Sequence, residues 1–307
     1  MNDDVNADVV CIASWNADLI SQVARPIARG ETLMANNFSI SPGGKGSNAA
    51  VAAARQGARV ALIARIGDDD FGRMGMTLWH GEGIDTRHVE QVVGERSGVA
   101  QILVYEDGDN SIAVYPGAGT GLGARHAQAA APLLQGCRVV MASCEVPAEA
   151  TLESFRLARA AGAITLLNPA PARPLADELL ALVDVLTPNE SELYLLAGAG
   201  HDGSPADAAR QLLNRGARAV LVTLGAAGCR LYQAGQAPVT LAGRTMPVRD
   251  TIGAGDTFTG ALAAALARGE PLPAAMQWAN AAAALSVTRH GAIDGIPRHA
   301  EVAALLG

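Results

Sequence analysis

Arg138-Val139-Val140-Met141-Ala142-Ser143 and Ala163-Ile164-Thr165-Leu166-Leu167 are two short, mostly apolar runs, and the helix-forming segment 148–161 between them contains neither glycine nor proline. Two strands joined by a single helix pair in parallel, because the crossover returns the chain to the same end of the sheet and does so right-handedly. This unit therefore predicts a parallel sheet.

The alternation extends outward from it. A helix over 123–135 precedes the first run. A short helix after Pro174, a strand at 183–187, a helix at 206–215 and a strand at 219–223 follow the second. Nearer the N-terminus, Val9-Val10-Cys11-Ile12-Ala13 reads as a buried strand, 49–56 as an Ala-rich helix closed by Gly57, and 58–64 as the next strand. Gly67-Asp68-Asp69-Asp70-Phe71-Gly72 opens another helix, its acids suited to the positive end of the helix dipole. The runs 99–105 and 111–115 flank Glu106-Asp107-Gly108-Asp109-Asn110, a hairpin pattern. With an alternating strand near 37–41 they predict a small antiparallel sheet projecting from the body, a candidate lid or dimer surface. No linker, repeat or charge run divides the chain. The reading is one domain, 1–307, with a lid from segments of about 14–42 and 97–117.

Bulk properties narrow the function classes. The 307 residues are 50% hydrophobic but only 4% aromatic, so the core is aliphatic and Ala-rich. Net charge is −7 with no Lys/Arg cluster, which excludes a dedicated nucleic-acid surface. Cys11, Cys137, Cys144 and Cys229 are scattered without a C-x-x-C pair, and three lie in or beside apolar runs, favouring buried reduced thiols. The histidines lack metal-ligand spacing. The acidic Met1-Asn2-Asp3-Asp4 lacks a signal-peptide core, and no apolar run reaches the ~18 residues of a membrane helix. The expectation is a cytoplasmic protein that does not engage a membrane.

Polar groups gather where strands end. Ser14-Trp15-Asn16-Ala17-Asp18 follows the first strand, Glu145 the strand at 138–143, Asn168 the next, Asn189-Glu190-Ser191-Glu192 the third and Thr223-Leu224-Gly225 the fourth. In an open parallel sheet these ends share one edge, where ligands bind. Each alone also reads as a turn or cap. Pro42-Gly43-Gly44-Lys45-Gly46-Ser47-Asn48 departs from the G-x-x-x-x-G-K-[ST] phosphate loop; its glycines would let backbone amides approach a small polar ligand, with Lys45 and Asn48 at the same helix start. Asp250-Thr251-Ile252-Gly253-Ala254-Gly255-Asp256-Thr257-Phe258 precedes an Ala/Leu helix. Free first-turn amides around an anion, beside a carboxylate, suit phosphoryl transfer to an alcohol. The alternative is a glycine turn capped by Asp256 or Thr257.

As an ordered set, these stretches, together with Leu167-Asn168-Pro169-Ala170-Pro171-Ala172-Arg173, resemble the ribokinase-like carbohydrate kinases of the phosphofructokinase B-type superfamily. The resemblance covers nearly the whole chain. It implies a three-layer α/β/α fold, a mainly parallel central sheet and a small β-sheet lid. It further implies Asp256 as general base and the amides of Gly253, Ala254 and Gly255 as anion hole. Asn16, Asp18, Gly44, Lys45, Asn48 and Glu145 match sugar-holding positions, and Asn189, Thr223, Gly225 and Asn280 nucleotide positions beside Gly255. Glu192 matches the residue that organises Mg²⁺ and phosphate through water. Asp250, Ile252, Ser286, Arg289, Gly291 and Gly295 match a K⁺ site built largely of carbonyls. Gly295 departs from relatives that carry a hydroxyl there.

The implied reaction is ATP-dependent phosphorylation of the primary 5-hydroxyl of D-ribose to D-ribose 5-phosphate, by a homodimer joined through the lid. Fructose, deoxyribose, a keto-sugar acid or a nucleoside are alternative acceptors. A dinucleotide-dependent dehydrogenase would carry G-x-G-x-x-G directly after Ala13, where the chain reads Ser-Trp-Asn-Ala-Asp. A non-catalytic sugar sensor has no need to keep Asp256.

Overall fold

The computed structural model describes residues 7–199 and 203–307; the acidic Met1–Asp4 stretch lies outside the described residues. Strands β1 (Val9–Ala13), β2 (Asn16–Gln22) and β3 (Asn37–Gly43) precede helix α1 (Lys45–Arg55). Then come β4 (Val60–Gly67), α2 (Asp70–Gly81), β5 (Asp85–Val92) and the hairpin β6 (Gly98–Val104) and β7 (Asn110–Tyr115). The central stretch holds α3 (Ala124–Ala129), α4 (Ala131–Gly136), β8 (Val139–Ser143), α5 (Ala148–Ala160), β9 (Ile164–Asn168), α6 (Asp177–Leu180) and β10 (Val185–Leu186). After α7 (Glu190–Ala197), α8 (Pro205–Asn214) and β11 (Ala219–Thr223) come β12 (Gly228–Gln233) and β13 (Val239–Ala242). The chain closes with α9 (Ala254–Ala267), α10 (Leu272–Ser286) and α11 (His299–Leu306).

The large sheet has the order β13-β12-β11-β10-β9-β8-β1-β4-β5, and β5 through β11 run parallel. Alternation along β1 divides the core. Val9, Cys11 and Ala13 pack on one face with α1, α9 and α10; Val10 and Ile12 pack on the other with residues of α3 to α8. Three layers follow directly. The Ala-rich character of α1 and α9 lets these helices lie close together: a Cβ added at Gly260 would fall 2.2 Å from the Ala49 carbonyl oxygen.

Several local expectations are revised. The predicted helix over 123–135 is two helices, α3 and α4, since Pro132 in the first turn of α4 cannot donate to the preceding turn. The far edge is the antiparallel pair β12–β13, because residues 224–227 are too few for a crossover helix after β11. The small sheet has four strands, β3-β2-β6-β7, and is mixed rather than antiparallel: its central pair β2–β6 is parallel. The chain between β2 and β6 runs through β4 and β5 of the main body, so it has the length a parallel return needs. The Asp68–Asp70 triplet is structural. Asp69 caps α2 through Gly72 N–H and holds Ser97 at the base of β6, while Asp70 pairs with Arg73. All four cysteines are buried and unpaired. Among the described residues, no helix is long and apolar enough to cross a membrane.

Candidate active site

Strand order reverses at β1, whose neighbours β4 and β8 are reached by chain running in opposite directions from it. Beyond the carboxyl ends of such strands the sheet leaves a crevice. Part of the polar strand-end set meets there: Asn168, Asn189, Glu192 and Thr223 line its cavity, and Asn16, Asp18 and Glu145 do not. A cavity of about 220 Å³ is lined by Lys45, Asn168, Thr187, Asn189, Glu192, Thr223 and the turn Gly253–Asp256.

That turn starts α9. Gly253 is the N-cap at φ 75°, a left-handed conformation that costs other residues strain, and its neighbour Ala292 leaves little space for a side chain. Ala254 N–H donates to Thr251 O at 3.3 Å and Thr257 N–H to Gly253 O at 2.8 Å. The amides of Gly253, Gly255 and Asp256 are the ones left for a ligand, at the electropositive end of a 14-residue helix. The turn is thus more than a cap: Asp256 makes no side-chain capping bond, and its Oδ2 accepts instead from Asn48 Nδ2 at 2.9 Å. Asn48 Oδ1 is buried without a partner. A buried acceptor of this kind is open to a donor from water or a ligand.

The charges around Asp256 form one coupled group. Burial pushes the Asp256 carboxyl up to about 6, against the pull of Lys45 and the Asn48 hydrogen bond, while Glu145 and Glu192 add to the rise. Burial likewise raises Asp18 to about 7, helped by Glu145 and Asp256 and opposed by Lys45. Burial disfavours the Lys45 cation, yet Asp256, Glu145, Glu192 and Asp18 together raise its pKa. Lys45 is also the first residue of α1, the positive end of a helix, where a cation is unfavourable. These carboxylates compensate for its position.

Asn16 and Asp18 lie on β2, two residues apart and so on one face. The turn or cap reading of these two residues gives way to an extended one. Room for both side chains comes from glycines on neighbouring strands: a Cβ at Gly43 would lie 2.3 Å from Asp18 Oδ1, and one at Gly98 2.3 Å from Asn16 Oδ1. Gly43 was anticipated as a loop glycine; Gly98 escaped notice because its partner is fixed only by the β2–β6 register.

The amides that follow Gly44 are engaged by the protein itself. Lys45 N–H donates to Glu145 Oε2 (2.8 Å), Gly46 N–H to Ser14 Oγ (3.0 Å) and Ser47 N–H to Ser14 O (3.2 Å). These amides are already bound within the protein. The glycines are small because β1 lies against them: a Cβ at Gly44 would fall 2.8 Å from Ser14 O, and one at Gly46 2.6 Å from Ala13 Cα.

A second cavity of about 540 Å³ adjoins the first through Asn189, Thr223, Thr251, Ala254 and Gly255. Gly225 and Asn280 line it, with Met246, Val248, Phe258, Ala283 and Val287 giving an apolar surface suited to a planar base. The Asn280 amide donates to Ala242 O at 3.1 Å. Asn189 and Glu192 also form the reciprocal capping box of α7, at 2.8 Å each way, so the cap reading and the cavity reading are both true of them. Thr187, Thr251 and the 244–248 segment were missed. The first obeys the strand-end rule, but the others sit in chain without periodicity.

Beside the anion turn, the Asp250 carboxylate accepts from Ile252 N–H (2.9 Å) and Gly291 N–H (2.8 Å), tying two loops together. A Cβ at Gly295 would lie 2.8 Å from the Ser286 carbonyl oxygen and 2.9 Å from that of Gly291. The Gly291 carbonyl also accepts Gly295 N–H at 2.9 Å, so both carbonyls pack closely around Gly295. The Arg289 side chain is turned to Glu301, leaving only its main chain for such a site. An oxygen donor at Glu192 beside the amide turn suits a magnesium-bound phosphate.

An anion turn with a buried carboxylate, between a polar crevice and an apolar cavity, is the arrangement of a kinase for small hydroxylated molecules. The match to known proteins is more specific. The chain belongs to the pfkB family of carbohydrate kinases, whose model matches residues 6–299. It is 37% identical to the ribokinase of Haemophilus influenzae over 94% of this chain and 95% of that one. It is 35% identical to a deoxyribokinase of Salmonella typhi, over 94% and 95%. Its structure superposes on that of Arabidopsis thaliana ribokinase complexed with ribose and ATP with a TM-score of 0.93 at 30% identity, covering 98% of this chain and 99% of that one.

Proposed function

We propose that the protein is an ATP-dependent kinase that phosphorylates the primary 5-hydroxyl of D-ribose, giving D-ribose 5-phosphate. The observation that carries the reading is the buried Asp256 carboxylate, bonded to Asn48 and set at the open start of α9 on the wall of the first cavity. Relatives named as ribokinases support ribose as the acceptor.

In this reading Asn16, Asp18, Gly44, Lys45, Asn48 and Glu145 hold the sugar, and Asp256 takes the proton from the attacking hydroxyl as the oxygen–phosphorus bond forms. A carboxyl raised to about 6 is ionised at neutral pH yet basic enough to receive that proton. The amides of Gly253, Ala254 and Gly255 receive the transferring phosphoryl oxygens, the Ala254 amide by giving up its long bond to Thr251. Asn189, Thr223, Gly225 and Asn280 hold the nucleotide. Glu192 would organise Mg²⁺ through water, and that ion would supply charge neutralisation at the phosphates. Asp250, Ile252, Ser286, Arg289, Gly291 and Gly295 would hold K⁺, which would supply positive charge to the loops beside the anion turn.

The small sheet, from segments of about 14–42 and 97–117, acts as the lid that excludes water. Phe38 and Ile40 stand exposed on the face opposite Asn16 and Asp18, a surface for a second copy of the chain in a homodimer. Four unpaired cysteines suit a reducing compartment, and we assign the enzyme to the cytoplasm.

A panel of D-ribose, deoxyribose, fructose, a keto-sugar acid and nucleosides with ATP, each in K⁺ and in Na⁺, tests both assignments. D-Ribose is expected to show the largest kcat/KM, and Na⁺ to lower it. A larger value for deoxyribose, the reading the Salmonella relative favours, replaces the substrate assignment. Indifference to the ion removes the K⁺ site and makes Gly295 the suspect.

The pH dependence has a definite sign. kcat/KM for the sugar is expected to fall as pH drops through the window set by Asp18 and Asp256, about 7 to 6, with the coupled pair titrating in joint steps. Stability moves the other way. Both carboxyls are raised above their ordinary 3.8, so the ligand-free protein gains stability from them in acid and loses it as pH rises through about 6 and 7. Melting curves and kinetics at matched pH measure the two trends, and parallel rather than opposed trends would refute the assignment.

A further inference from the structure

Ser14 is the residue at which three elements of the crevice join. It follows β1 at the point where the strand order reverses, faces the loop after β8 that carries Glu145, and abuts the first turn of α1. Its hydroxyl has one proton and two lone pairs. The proton goes to Glu145 Oε2 at 2.7 Å, and a lone pair accepts Gly46 N–H at 3.0 Å. Its carbonyl accepts Ser47 N–H. Gly44, the residue that precedes α1, has no side chain with which to cap it. Ser14 and Glu145 supply that cap from outside the helix.

We propose that Ser14 is a positioning residue for the sugar end of the site, acting through Glu145; this rests on the sugar-kinase reading above. Glu145 reaches the crevice from a four-residue loop, 144–147, on a side chain with three rotatable bonds. Ser14 Oγ–H and Lys45 N–H both fall on its Oε2. Two donors on one carboxylate oxygen fix its direction and leave Oε1 for a hydroxyl of the ligand. Without the serine proton, Glu145 keeps a single amide donor and is free to turn toward the Lys45 ammonium. Asp256 is held separately, by α9 and Asn48. Loss of Ser14 therefore acts first on sugar capture, while the Asn48–Asp256 hydrogen bond stays in place.

The test is Ser14→Ala, Glu145→Gln and the double variant, assayed with ATP and whichever sugar the wild-type enzyme uses best. Hydrogen bonds to charged groups set the scale. Ser14→Ala is expected to raise the sugar KM roughly 10-fold, with kcat within about 3-fold and the ATP KM within about 2-fold. In the Glu145→Gln background the same substitution is expected to change the sugar KM by less than about 3-fold, because residues acting through one contact are not additive. An unchanged sugar KM, an equal rise in both KM values, or a full effect in the Glu145→Gln background overturns the proposal. So does a Ser14→Ala protein that melts below the assay temperature, since Ser14 then serves only to cap α1. A wild-type enzyme with no sugar in the panel as substrate sinks the functional reading instead, and the two failures are told apart.

Discussion

Asp256→Asn lowers kcat by roughly 10²–10⁴-fold, the scale of losing a general base, while sugar and ATP still bind. Asparagine preserves shape and can still accept from Asn48, so the fold around α9 is undisturbed. What it lacks is a site for the proton that leaves the hydroxyl. The variant also tests the electrostatics. Asp256 is almost fully buried, and burial is the largest cause of its raised pKa. Removing that charge is expected to leave the melting temperature at pH 8 unchanged or higher, although activity collapses. Loss of activity together with a lower melting temperature would reassign Asp256 to the fold, and near-wild-type turnover would remove it from the chemistry.

Lys45→Met lowers kcat/KM by roughly 10²–10³-fold, as expected when one charge that stabilises a transferring phosphoryl group is removed. Two effects combine. The cavity loses the cation beside the anion turn, and four carboxylates lose the charge that offsets them. Because Lys45 holds the Asp256 and Asp18 values down, its loss moves the acid limb of the pH profile to higher pH. That displacement separates an electrostatic role from a packing one. A uniform loss of activity with an unmoved limb would show that Lys45 acts by shape alone.

Much of the fold and part of the site were legible in the chain. The apolar runs at 9–13, 138–143, 163–167 and 219–223 fall on the strands β1, β8, β9 and β11, which are buried almost throughout, and their alternation with helices announces a parallel sheet. The Gly253–Asp256 turn before an Ala/Leu run announces a helix start with open amides. The β2 strand was harder. Asn16–Gln22 carries Asn, Asp, Ser and Gln within seven residues, and it is extended because β3 and β6 pair with it on both sides. Glu190-Ser191-Glu192 read as strand-end polarity, whereas Asn189 and Glu192 cap a short helix.

The sequence by itself determined the parallel βα alternation and the glycine turn before α9, because periodicity, helix propensity and glycine spacing are local properties. Only the tertiary structure decided what the polar strand ends do. Asn48 meets Asp256 across 208 residues of chain, Ser14 meets Glu145 across 131, and Gly98 clears space for Asn16 through a strand register. Each of these is set by which strands lie side by side. A hydrogen bond between distant residues leaves no periodic trace in either segment, so the partners of Asp256 and Glu145 emerge only once the sheet has brought β1, β8 and the start of α1 together.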